Sequence, residues 1–149
     1  VTDLDRAIAF ATEAHSGQVD KLGEPYIDHC LRVMDAVSEP AKRVAVLHDV
    51  AEDCGYSFGA ILHATKIDSD EVLALDLLTR DWARWPAYAD YIARIADPGR
   101  GYEAAAPIAR EVKVADLRDN LGRWVPELGE DLKQRYERAL ERLTKEKTT

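Results

Sequence analysis

The sequence is poor in cysteine, in net positive charge and in long apolar runs, and each shortage excludes a class of protein. Cys30 and Cys54 are its two thiols. Two cysteines in a chain of this length make no disulfide framework, and a reducing compartment suits them. The formal net charge of −8 argues against general nucleic-acid binding, which needs a basic face. No apolar run approaches the ~20 residues that cross a bilayer, and the N-terminus carries no signal-peptide pattern. The expectation is a cytoplasmic protein with no nucleic-acid and no membrane partner. Low-complexity tracts, internal repeats and runs of alternating β-branched residues are missing as well.

What is there is helical. The 149 residues, 46% apolar and 32% charged, suit one globular domain with a real core. Thr2 and Asp5 form a capping pattern ahead of Leu4, Ala7, Ile8, Ala11 and Ala14, with Gly17 as a stop. Pro25 suits the first turn of a second helix. Ile27, Cys30, Leu31 and Met34 form its core stripe, with His29 roughly opposite. A third helix is expected from near Pro40 through Asp53, closed by Gly55. Ser57 and Ser69 can cap two more, and Pro86 and Pro107 begin the next two. Within the latter, "REVKVAD" continues the helical spacing of its neighbours. The last helix, about Asp131 to Lys145, is strongly charged and reads as a solvated outer helix. The fold class expected is all-α, a single-domain bundle of about seven helices over residues 1–149.

The segment "AVLHDVAED", Ala45 to Asp53, carries the chemistry. Four ionisable side chains interrupt a stretch that otherwise asks to be buried, and a buried charge costs several kcal/mol unless it is paired. On one continuous helix His48, Glu52, Asp49 and Asp53 fall at about 0°, 40°, 100° and 140°, all on one side. A solvated face with i,i+4 pairs is the plain alternative, but no Lys or Arg lies within the segment to pair with its carboxylates. A divalent ion would neutralise them. His29 and Asp116 are the further donors. Asp116 is flanked by a Val-Ala run, and Lys113, Asn120 and Arg123 follow the same face at spacings of three, four and seven. His29, His48, Asp49 and Asp116 together make a mixed nitrogen and oxygen set that suits Mn2+, Fe2+ or Zn2+. Cys54 points past the acidic pair and reads as packing.

Three segments, "AHSGQVDKLGEPYIDH", "AVLHDVAEDC" and "VKVADLRDNL", resemble the HD-domain phosphohydrolases. Within them the likeness is to the hydrolase domain of RelA/SpoT-type alarmone enzymes and their small stand-alone relatives. It covers most of residues 4 to 123. The resemblance implies an all-helical HD-domain fold holding one divalent ion, usually Mn2+, on His29, His48, Asp49 and Asp116. It implies that Glu52 and Asp53 are the catalytic pair that handles the attacking water, and that Asn120 serves the nucleotide. Lys21, Lys113 and Arg123 are the candidates for the phosphates, ahead of Arg32 and Arg43. His15 is expected to support the loop or the nucleotide. Trp82, Trp85 and Tyr88 could flank a base or simply fill the core.

The activity this implies is removal of the 3′-pyrophosphate of (p)ppGpp, or of a related alarmone, in a stringent response. Where such enzymes carry an Arg-Lys pair before G-E-P-Y, this chain has Asp20-Lys21, and the region from Arg80 to Ile108 is compressed. Metal chemistry is untouched by these departures, whereas guanine recognition is not. The alternatives are an HD phosphohydrolase for ppApp, NADPH or nucleoside monophosphates, and a non-catalytic nucleotide-binding module.

Overall fold

The computed structural model describes residues 1–145, and its helices begin where side chains can satisfy free amides. The Asp5 amide donates to Thr2 Oγ1 and the Thr2 amide donates to Asp5 Oδ2, both at 3.0 Å. This capping box opens α1 (Asp3–Ala14). Pro25, which has no amide hydrogen to satisfy, precedes α2 (Tyr26–Asp35). A 3₁₀ turn, Glu39–Ala41, leads into α3 (Lys42–Leu47), and α4 (Val50–Cys54) follows directly. Ser57 Oγ accepts from the Ala60 amide at 3.1 Å to start α5 (Phe58–Thr65). Then come α6 (Ser69–Leu78), α7 (Tyr88–Ala96), α8 (Ala105–Gly122), a 3₁₀ turn at Pro126–Leu128, and α9 (Glu130–Thr144). The described residues contain no strand; one isolated bridge, Val19 to Pro25, pins the loop before α2.

The all-α expectation holds, with nine α-helices among the described residues where about seven are expected. α7 starts at Tyr88 rather than Pro86 and α8 at Ala105 rather than Pro107. Two further corrections have a side-chain cause. The helix expected from Pro40 to Asp53 is broken at His48–Asp49 into α3 and α4. In an unbroken helix the Ala45 carbonyl would accept the Asp49 amide. Here His48 takes that carbonyl twice, through its amide at 3.4 Å and through its ring Nδ1 at 2.6 Å. The second correction is the cap of α6. Asp68 rather than Ser69 holds it, in a reciprocal box with Glu71 at 2.8 and 3.0 Å.

α8 is the axis of the bundle and packs against α2, α3, α6, α7 and α9. Val44, Ala45, Val46 and Leu47 of α3 are wholly buried, and Leu75, Leu77, Ile92, Ile95 and Leu117 complete the surrounding core. A stretch apolar on every side belongs at the centre, so these last four residues of α3 carry its C-terminal end, and with it His48 and Asp49, into the interior. α9 is solvated along most of its length, yet Ala139 and Leu143 are buried and Tyr136 and Leu140 pack on the core. No helix among the described residues is long and apolar enough to cross a membrane.

Candidate metal centre

Three pieces of chain meet where α2, the α3–α4 break and α8 cross. His29 Nε2 lies 2.9 Å from Asp116 Oδ1 and 4.0 Å from Asp49 Oδ2. His48 Nε2 lies 2.9 Å from Asp49 Oδ2 and 3.4 Å from Asp116 Oδ1. One donor atom from each of these four residues falls within 4.8 Å of the other three. His29, His48 and Asp116 are at most 5% exposed.

Both imidazoles are held with one nitrogen turned into this cluster. His48 gives Nδ1 to the Ala45 carbonyl at 2.6 Å, so its neutral form carries a lone pair on Nε2. That Nε2 is buried and faces the Asp49 and Asp116 carboxylate oxygens. His29 gives Nδ1 to Asp119 Oδ2 at 2.6 Å. Arg32 in turn fixes Asp119 through Nε at 2.8 Å and Nη2 at 3.1 Å. A ligand histidine whose other nitrogen is tied to a carboxylate or carbonyl is the arrangement metal sites use to fix tautomer and ring angle. Two imidazoles and two carboxylates match a divalent first-row ion in both charge and donor type. The residues therefore fit the group that the sequence expectation assigns to them.

The electrostatics of the protein alone show the same demand for positive charge. Burial works against protonation of His48, but Asp49 and Asp116 outweigh it and raise the imidazole well above its ordinary range. Burial also works against ionisation of Asp116. Lys113, His29 and His48 together outweigh it and hold the carboxyl well below the usual carboxylate range. Lys113 Nζ donates to Asp116 Oδ2 at 2.8 Å, Asn120 Nδ2 approaches Oδ1 at 3.4 Å, and the Tyr26 hydroxyl donates to Asp49 Oδ2 at 2.5 Å. Glu52 and Asp53 stand at the first turn of α4, still open to solvent. Burial, then the nearby Asp49, raises both carboxyls, and Asp53 adds to the effect on Glu52.

A cavity of about 260 Å³ opens beside His29 and Tyr26. Its lining includes the polar Lys21, Asn120 and Arg123 and the apolar or aromatic Trp124, Leu128, Leu132 and Tyr136. Of the four expected substrate contacts, the structure thus brings three to one cavity and sets Lys113 on Asp116. Arg123 Nη2 sits 3.4 Å from Asp20 Oδ2, and Asp20 Oδ1 also accepts the Leu22 and Glu24 amides at 2.9 Å. Arg43 is engaged with Glu71 and Asp3, away from any phosphate role. His15 supports the loop through Gln18, with 2.8 Å between Nδ1 and Oε1. Trp82 is 63% exposed, so it fills no core, and Arg80 stacks on it at 3.6 Å.

Sequence reasoning missed Asp119, Tyr26 and the Ala45 carbonyl, and it named Arg32 only as a lesser phosphate candidate, without its bonds to Asp119. Asp119 had a signal, since it follows Asp116 by one helical turn on α8 and so shares its face. Tyr26 and Arg32 reach the cluster only through the folded chain.

No family model matches the chain. A stretch of 63 residues is 35% identical to a probable GTP pyrophosphokinase of Mycobacterium leprae (strain TN), covering 39% of this chain and 8% of that protein. This chain thus spans under a tenth of that relative's length. Among solved structures, a metazoan ortholog of SpoT that hydrolyzes ppGpp and plays a role in starvation responses superposes with a TM-score of 0.78. The two are 20% identical, and the match covers 97% of this chain and 86% of the other. At that identity the likeness establishes architecture, and this chain has the all-helical HD-domain fold of that hydrolase structure.

Proposed function

We propose that the chain is a metal-dependent nucleotide phosphohydrolase that removes the 3′-pyrophosphate of (p)ppGpp or a related alarmone, with Mn2+ as its ion. The observation that carries the reading is the convergence of His29, His48, Asp49 and Asp116, with both imidazoles already turned as ligands. With its Nδ1 on the Ala45 carbonyl, neutral His48 turns the Nε2 lone pair toward the Asp49 and Asp116 oxygens at 2.9 and 3.4 Å, and a cation between these three donors resolves that opposition. A divalent ion bound there supplies Lewis-acid polarisation of a phosphate oxygen and a water of lowered pKa.

The rest falls to the chain's own side chains. Glu52 and Asp53 orient the attacking water and take its proton, and their raised carboxyls lie nearer the working pH than ordinary ones. Tyr26 and Lys113 hold the Asp49 and Asp116 carboxylates in place. The cavity beside His29 receives the nucleotide, with Lys21 and Arg123 toward its phosphates, Asn120 beside the sugar, and Trp124 and Tyr136 against the base.

The test is to load the protein with manganese, offer ppGpp, ppApp, NADPH and nucleoside monophosphates separately, and follow phosphate and pyrophosphate. Pyrophosphate release from ppGpp is the expected result. Turnover of none of the four classes would make the chain a binding module and end the proposal. One observation favours a second substrate within the same chemistry. Asp20 lines the same cavity, 3.4 Å from Arg123, and a carboxylate where alarmone hydrolases carry an Arg alters base recognition and gives ppApp or NADPH a specific claim.

A further inference from the structure

The chain carries 28 acidic residues against 20 basic ones, yet one of its grooves is lined by arginine with no acid at all. Ala87, Tyr88, Ala89 and Ile92 of the α7 region form one side of a cavity of about 480 Å³. Arg135, Arg138, Ala139 and Arg142 of α9 form the other. Among the described residues none of these three arginines has a carboxylate within ion-pair distance, although Lys133 on the same helix pairs with Glu137. Arg135, Arg138 and Arg142 follow one another at spacings of three and four, so they share one exposed face of α9 and gather positive charge along this groove.

The geometry restricts which anion fits there. Arg138 and Arg142 stand about 4.5 and 10.5 Å beyond Arg135 along the helix axis, a spread over two turns that matches an extended anion better than one compact ion. Guanidinium groups hold phosphates by paired hydrogen bonds. The side facing the arginines is largely apolar, with Ala87, Ala89 and Ile92 beside the Tyr88 ring, which suits a base and not a bare polyphosphate. A volume of this size falls in the range of small-molecule sites. The groove is separate from the cavity beside His29, because α9 turns Leu132 and Tyr136 to that cavity and its arginines to this one.

We propose that the α7–α9 groove is a second ligand site, which binds a nucleotide carrying several phosphates through Arg135, Arg138 and Arg142. Tyr88 forms the wall it shares with the centre of the molecule. Its ring lies 5.2 Å from the Arg135 guanidinium carbon and 6.0 Å from Lys113 Nζ, which holds Asp116. Occupancy of the groove is thereby linked through one aromatic ring to a residue of the metal cluster.

The test does not use catalysis, so its failure and a failure of the hydrolase reading are distinguishable. The metal-free protein, in EDTA, is titrated with GTP while the arginine Nε–H signals are followed by NMR. The signals of Arg135, Arg138 and Arg142 are expected to shift together and saturate. In Arg135→Ala/Arg138→Ala the Arg142 signal should need at least about tenfold more GTP, the loss expected from removing charge-assisted contacts. Arg138→Glu gives a second variant at an exposed position, and circular dichroism checks that each variant keeps its helices. Inorganic tripolyphosphate is the comparison probe and should bind more weakly than GTP. Signals that stay fixed to millimolar GTP, or an unchanged Arg142 response in both variants, would overturn the site. Equal binding of tripolyphosphate would overturn its assignment to a nucleotide, and tighter binding of a short single-stranded RNA would give the groove to nucleic acid instead.

Discussion

Asp119 lies one turn along α8 from Asp116 and reaches the proposed centre only through His29, so its loss separates positioning from ligation. Burial alone would raise its carboxyl, but the hydrogen bonds from Arg32 and His29 outweigh burial and hold it below the usual range. The carboxylate thus stays charged at neutral pH and keeps His29 with Nδ1 donating and Nε2 facing Asp116. Asp119→Ala should weaken Mn2+ binding by about 10- to 100-fold while leaving the four donors in place. Competition against a metal indicator reads this directly. Asp119→Asn retains an acceptor for Nδ1 and should lose less; equal losses would deny Asp119 its orienting part. The acidic pair calls for the opposite pattern. Glu52→Gln/Asp53→Asn should cut turnover by at least about 100-fold, the lower bound for removing general acid–base help, with metal content unchanged. Activity that survives the double change would reassign the proton-handling role.

At the scale of elements, the caps and breaks decide what the four donors can reach. Thr2, Pro25 and Ser57 mark helix starts in the sequence because a side-chain oxygen or a missing amide hydrogen acts within three residues. The break at His48–Asp49 left no such mark. It arises when an imidazole competes with a backbone amide for the Ala45 carbonyl, and the apolar spacing of Val44, Val46, Leu47 and Val50 continues through it unchanged. The contacts of Tyr26 with Asp49 and of Arg32 with Asp119 span 23 and 87 residues, beyond any periodicity. Asp116 was legible for a different reason: a carboxylate inside "VKVAD" needs a partner wherever the helix goes. The α6 cap offers a stability test of the same kind. Asp68→Ala should cost about 1 kcal/mol, while Ser69→Ala should stay within about 0.5 kcal/mol. Urea midpoints of the two variants decide which residue holds the helix, and a larger cost at Ser69 would contradict the Asp68–Glu71 box.

For the whole molecule, the interior cluster ties stability to both metal and pH, and the signs differ with and without the ion. In the metal-free protein burial disfavours protonation of both rings, but Asp116 and Asp119 around His29, and Asp49 and Asp116 around His48, outweigh it and raise both values. That stabilisation is fully present below the unfolded histidine value, about 6.5, and is lost as pH rises through the higher folded values. An ion needs both rings neutral, so its binding must expel these protons and strengthens as pH rises. A ligand that binds only the folded chain adds stability in proportion to the logarithm of its concentration over its Kd. The gain in Tm from manganese should therefore be small near pH 6 and grow toward pH 8, while the Tm in EDTA falls over the same interval. Calorimetry at matched ionic strength measures both curves, and the proton release on titrating manganese in two buffers of different ionisation heat gives an independent count. A manganese stabilisation that is flat or falls with rising pH would mean that the ion does not displace the histidine protons, and the four-residue centre would then have no claim to it.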